Sequence, residues 1–192
     1  PRSDLGDVAR LIADLHDSGA TLTRRRDAHA IVRSIGRKLA ELPASPARDA
    51  LQEGYALVSL SPPEDAELVP THGDCSPRNV LVSHSGLRFI DFDRLQLADP
   101  ARDLAYWSAW LWTTGLLYGS GSSWSGGEEL VRSYQALRPS AQLGPQIGFH
   151  RFAALVRIVH GWSVLESNQL AASRVAREAR AQADLHAQVA RA

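Results

Sequence analysis

Asn79-Val80-Leu81-Val82-Ser83-His84-Ser85-Gly86-Leu87-Arg88-Phe89-Ile90-Asp91 is the stretch on which the fold turns. Two short runs, 79–83 and 87–91, have strand-like composition. Between them lies His84-Ser85-Gly86, a three-residue connection ending in Gly. That is a hairpin signature, because Gly takes the left-handed position at little cost. With this turn, Ser83 faces Leu87, Val82 faces Arg88 and Asn79 faces Asp91. Directly opposed residues hold their Cβ atoms about 5 Å apart. An amide oxygen and a carboxylate would then converge at the open end of the hairpin. Hard oxygen donors suit Mg²⁺, which takes one or two protein ligands and leaves the rest to phosphates and water. Asp74 sits five residues before Asn79, in the loop entering the same strand, and brings an acid to the same end. The plainer reading is a capped hairpin whose polar residues satisfy turn backbone. It serves for either residue alone and poorly for the three together.

Outward from the hairpin the pattern becomes helical. Upstream, Leu5, Val8, Leu11, Ile12 and Leu15 recur at helical spacing over 4–18, and Gly19 follows where a helix stops. Residues 26–41 and 46–60 give two more helices, the third ended by Ser61-Pro62-Pro63. Residues 68–71 read as extended. Downstream, Asp99-Pro100 pairs a good N-cap with a good first helical residue. The helix it starts carries Leu104, Trp107 and Trp110, the two tryptophans sharing one face of the core. The Gly/Ser run 119–127 reads as a flexible loop, with helices at 128–138 and 145–169 and an Ala/Arg-rich stretch to the end. The expected class is α+β, mostly helical, built around one small β-hairpin. Residues 1–192 form a single domain in this reading: a helical start (1–67), the hairpin with its site loops (68–98) and a helical subdomain (99–192).

Composition narrows the function. The chain has 192 residues, 44% hydrophobic and 22% charged, with formal net charge zero. That is ordinary globular composition. A nucleic-acid binder needs a basic excess to displace counterions from phosphates, so no nucleic-acid partner is expected. The uncharged stretch from Leu104 to Gly127 is broken by Thr, Gly and Ser, which spoils a membrane span of about 20 apolar residues. No signal peptide is visible, and the single cysteine, Cys75, fits a reducing, cytoplasmic setting. The chain lacks methionine and opens on Pro1, as a piece of something longer would.

Four spaced motifs now stand in order: Thr71-His72-Gly73-Asp74, Asn79, Phe89-Ile90-Asp91-Phe92-Asp93, and Ala98-Asp99-Pro100-Ala101-Arg102-Asp103-Leu104-Ala105. Together they resemble the aminoglycoside phosphotransferase family, relatives of choline kinases and protein kinases. The resemblance is tight over 71–105 and extends loosely to 4–18. It implies a protein-kinase-like C-terminal lobe. It makes Asp74 the catalytic base that takes a proton from an acceptor hydroxyl. It makes Asn79 and Asp91 ligands of the Mg²⁺ that bridges the phosphates of ATP, the co-substrate. Leu81 and Ile90 become the floor beneath the nucleotide base. Asp103 becomes a buried support of the catalytic loop, and His72 a packed structural histidine in it. Phosphoryl transfer asks little covalent help of a protein, so catalysis is mostly positioning and charge neutralisation.

The sequence departs from that family in one respect. No strand supplies a phosphate-gripping lysine, because the sole lysine, Lys38, lies in a helix. No glycine-rich loop sits between two strands. The expectation is therefore a C-terminal lobe whose N-terminal β-lobe is absent, and which alone does not turn over. The acceptor is a small hydroxyl compound. Residues 128–192 hold five acids and eight arginines, which suits a neutral or anionic acceptor better than a polycation. Two other functions remain open, a kinase-like scaffold without turnover and an Mg²⁺-dependent hydrolase. Arg78 either neutralises a phosphoryl group or pairs with a carboxylate. Asp93 either helps with metal or caps a turn, Cys75 reads as a spacer, and Arg24-Arg25-Arg26 reads as a solvated helix start.

Overall fold

The structure is a computed structural model describing residues 4–64, 67–119, 121–164 and 168–191. It is mostly helical, 63%, with small sheets. Two compact units gather it. One holds Pro1–Arg26 with Ala66–Leu143, the other Asp27–Asp65 with Gly144–Ala192.

The first unit carries every motif of residues 71–105. Helix α1 (Leu5–His16) starts where the Asp4 carboxylate accepts from the Gly6 N–H, and it buries Val8, Ile12 and His16 along one face. Strands β1 (Arg25–Arg26), β2 (Val69–Thr71) and β5 (Gln96–Ala98) make a sheet ordered β1-β5-β2. In it β5 runs parallel to β1 and antiparallel to β2. Strands β3 (Val80–Ser83) and β4 (Gly86–Phe89) form a separate two-stranded ribbon. Helix α4 (Ala101–Leu117) follows β5, and α5 (Ser125–Leu137) packs against α1 and α4. Leu104, Ala105, Trp107, Leu130 and Tyr134 fill this core.

The second unit is helical. Helix α2 (Ala28–Glu41) is capped by Asp27 on the Ala30 N–H, and α3 (Pro46–Leu60) by Ser45 on the Arg48 N–H. Helices α6 (Gly144–Val164) and α7 (Gln169–Val189) complete it. Small residues set the spacing. A Cβ on Gly54 of α3 would lie 2.7 Å from the Phe152 ring and 3.3 Å from Ala183. A Cβ on Gly148 of α6 would lie 3.1 Å from the Gln182 carbonyl oxygen of α7.

Several expectations need correction. The ribbon's turn is two residues long, so Ser83 pairs with Gly86, Val82 with Leu87, Leu81 with Arg88 and Val80 with Phe89. The Ser83 hydroxyl lies 2.9 Å from the Ser85 hydroxyl and donates to the Gly86 carbonyl at 3.0 Å, tightening the loop. Asn79 therefore stands across from Ile90, not Asp91, and Asp91 lies past the ladder. Arg25 and Arg26 are strand residues, drawn into the sheet by parallel pairing with Leu97 and Ala98. A two-residue strand leaves no periodicity in sequence. The 119–127 run is not all loop, since α5 begins at Ser125 and Gly127 packs on Ser108. Trp107 is core, as expected, but its buried companion is Trp112, stacked on Trp124 at 5.9 Å, while Trp110 is half-exposed.

Candidate active site

The loop from His72 to Asn79 links β2 to the ribbon, and its shape follows from how its backbone is held. Gly73 has φ +73°, and a Cβ there would run into the Arg94 carbonyl and the Gln96 side chain. Only glycine fits both constraints. Thr71 Oγ1 donates to the Gln96 carbonyl at 3.0 Å, closing the strand side. Beneath the loop lies Asp103, fully buried in the first turn of α4. Its Oδ2 accepts the His72 N–H at 2.7 Å and its Oδ1 the Gly73 N–H at 3.0 Å.

Burial alone would push the Asp103 carboxyl up. The His16 hydrogen bond and the two backbone donors outweigh it, leaving Asp103 below its ordinary value. His16 touches Asp103 Oδ2 through Nε2 at 3.4 Å and the Tyr134 hydroxyl through Nδ1 at 2.6 Å. The sequence motifs missed His16. The only signal was its place four residues beyond Ile12, on the buried face of α1.

His72 is buried with its ring 4.8 Å from Phe89 and 5.1 Å from Phe92. Its Nε2 faces the Ile90 carbonyl at 2.9 Å, and a carbonyl can only accept, so Nε2 carries the proton. The Ile90 N–H donates to the Asn79 carbonyl at 3.0 Å. Both backbone groups of Ile90 are thus fixed from the loop of residues 72–79. The next residue, Asp91, then takes φ +62°, a conformation that non-glycine residues adopt at a cost and that clusters at functional sites.

Asn79 Nδ2 donates to the Asp74 carbonyl at 2.9 Å, which commits the amide nitrogen and turns Oδ1 into the atom to offer a cation. Asp74 is partly exposed, with Arg94 Nε 3.7 Å from its carboxylate. Neither Arg94 nor this pairing was foreseen, since nothing in the spacing brings residue 94 back to 74. Among the described residues, no three His, Cys, Asp or Glu side chains group as a metal cage. Asn79 and Asp91 carry an amide and a carboxylate oxygen, donors of the hard kind that Mg²⁺ would take.

Leu81 and Ile90 are 54% and 37% exposed. Leu81 pairs with Arg88, and Ile90 lies two residues beyond Arg88, so both fall on one face of the ribbon. Arg78 lies with its guanidinium 5.3 Å from the centre of the Trp110 ring. Asp93 occupies a turn closed by the Leu95 N–H on the Phe92 carbonyl, and its own carbonyl accepts from Arg24 at 3.2 Å. Cys75 is buried, and burial followed by the charges of Asp103 and Asp74 pushes its thiol up, which keeps it protonated and unreactive. Lys38 lies in the last turn of α2, in the other unit.

The sequence model described as the phosphotransferase enzyme family matches residues 1–139. No curated protein matches the chain. Among solved structures, a choline/ethanolamine kinase family protein from Mesorhizobium loti superposes with a TM-score of 0.63 at 17% identity, covering 97% of this chain and 66% of that one. The choline kinase LicA from Streptococcus pneumoniae gives 0.60 at 14%, with 93% and 62% covered. A glucosamine kinase in complex with glucosamine, ADP and inorganic phosphate gives 0.60 at 17%, with 91% and 52% covered. The chain spans between about half and two thirds of the length of these structures, and at such identities the likeness is one of fold. Among the described residues, no helix is long and apolar enough to cross a membrane.

Proposed function

The chain belongs to the phosphotransferase enzyme family, and from that membership we propose that it is the C-terminal lobe of a small-molecule kinase. The reaction is transfer of the γ-phosphoryl group of ATP to a hydroxyl of a small acceptor. Asp74 orients that hydroxyl and takes its proton as the oxygen attacks phosphorus and the bond to the ADP leaving group breaks. Asn79 and Asp91 would hold Mg²⁺, which when bound neutralises the phosphate oxygens. Leu81 and Ile90 offer an apolar face to the base. Asp103 and His72 fix the loop that carries Asp74, so that no reorganisation is needed during transfer.

One observation supports this reading most. Asp74, Asn79 and the Ile90–Asp91 segment are tied to one another by two hydrogen bonds, Asn79 Nδ2 to the Asp74 carbonyl and the Ile90 N–H to the Asn79 carbonyl. A capped hairpin has no use for a base and two oxygen donors held in one backbone assembly. The structural neighbours include a choline kinase, an ethanolamine kinase and a glucosamine kinase. By analogy the acceptor here is a small metabolite bearing a free hydroxyl.

The test is Asp74→Asn in the full-length enzyme. Turnover, read by coupled ADP release, should fall by orders of magnitude. Nucleotide affinity, read by titration calorimetry, should stay within about twofold, because the base acts on the acceptor and not on ATP. A variant that lost ATP binding yet kept turnover at saturating ATP would overturn the assignment.

A further inference from the structure

Asp103 is held from two sides. On one side are the loop N–H groups already described. On the other a file of polar side chains runs from the depth of the first unit to its surface. Asp17 Oδ1 lies 3.0 Å from Arg138 Nε, and Arg138 Nη1 donates to the Tyr134 hydroxyl at 2.8 Å. Tyr134 and His16 meet at 2.6 Å, and His16 Nε2 reaches Asp103 at 3.4 Å. His16, Tyr134 and Asp103 are all buried.

The donor arithmetic allows one neutral arrangement in which every member is satisfied. A guanidinium has only donors, so the Tyr134 oxygen accepts from Arg138. Burial pushes the Tyr134 phenol up to about 12, against the opposing pull of Arg138, so it keeps its proton. With its oxygen engaged by Arg138, the hydroxyl has its proton to give, and His16 Nδ1 is where it points. The imidazole proton then sits on Nε2, facing the carboxylate. All donors point the same way, from Arg138 through Tyr134 and His16 to Asp103, and such a chain polarises each successive bond.

We propose that His16 and Tyr134 are positioning residues of the catalytic loop: the Tyr134 hydroxyl fixes the tautomer of His16, and His16 Nε2–H fixes the Asp103 carboxylate that grips the His72 and Gly73 amides. Tyr134 lies on α5, outside the motifs that carry the chemistry, and reaches the loop before Asp74 through this file. What the loop is positioned for rests on the phosphotransferase reading. The relay itself does not.

The test therefore reads the relay without asking for turnover. Long-range ¹⁵N–¹H correlation on the full chain, with the His16 ring tied to its backbone assignment, reports the tautomer directly. The Nε2–H form is expected at pH 7. An Nδ1–H ring or an imidazolium would overturn the proposal, and no variant is needed to see it. Tyr134→Phe then removes the donor and keeps the ring. The His16 tautomer signal should shift toward a mixture. Amide exchange at His72 and Gly73 should quicken about tenfold, the equivalent of one lost hydrogen bond, while the amides of α2 and α3 are unchanged. Unaltered exchange at both loop amides in a folded Tyr134→Phe variant would sink the relay. If these signals behave as stated while Asp74→Asn leaves turnover intact, the phosphotransferase reading has failed and the relay stands.

Discussion

At the scale of single residues, the loop's shape depends on groups that do no chemistry. Gly73 has a positive φ and no room for a Cβ, and Asp103 answers for two N–H groups that burial would otherwise leave unpaired. The direction of the Asp103 shift fixes how stability should follow pH. Its folded value lies below the ordinary 3.8. The carboxylate's contribution is therefore complete above that ordinary value and is lost as pH falls through the folded one. Chemical denaturation of wild type and Asp103→Asn should differ fully above the ordinary carboxylate value and converge as pH is lowered below it. A gap that widened with acid would mean the carboxyl is protonated in the folded protein. The residues of this centre differ in how far the sequence could show them. Asp74, Asn79, Asp91 and Asp103 sit in a short segment whose ordered motifs resemble a known family, so the sequence could single them out. His16 lies 87 residues from Asp103 and 118 from Tyr134. A contact made across such separations leaves no local pattern.

Among the secondary-structure elements, the helices and strands β2, β3 and β4 are legible in sequence, while β1 and β5 are not. Helix α3 runs from Pro46 to Leu60, the bounds that its Ser45 cap, first-turn proline and terminal Ser-Pro-Pro announce. Strands β1 and β5 have two and three residues, below the length at which alternation means anything, and exist because each pairs with the other. The ribbon was recognised but slipped by one. Loop length decides register, and serine hydroxyls that tighten a turn are not distinguishable in sequence from serines that decorate one. Helix packing offers a test at this scale. Gly54→Ala would gain about 1 kcal/mol in helix propensity. Its Cβ would meet the fully buried Phe152 ring at 2.7 Å, and overpacking a core costs about 1–3 kcal/mol. The second effect wins, and the melting temperature should fall by a few degrees. A rise would show that the ring yields.

At the scale of the whole molecule, the chain passes between its two units after Arg26, after Asp65 and after Leu143. The family match ends at residue 139, yet α3 packs on α6 and α7, both of which lie beyond it. A chain cut after Leu143 should therefore uncover Leu51 and Val58 of α3. Dye binding to exposed apolar surface should rise and helical circular dichroism should fall by more than the deleted 49 residues account for. Retention of full per-residue helicity without dye binding would show that α2 and α3 stand alone. The same interlacing governs order in time. Asp74 leaves the ribosome early, but the side chains that steady its loop come from residues 16, 103, 134 and 138. Synthesis from Asp103 to Arg138 takes a few seconds at about 5–20 residues per second. Throughout that interval the nascent polypeptide carries the Asp74 carboxylate on a slack tether, and the loop takes its final form only when its most distant tyrosine has been made.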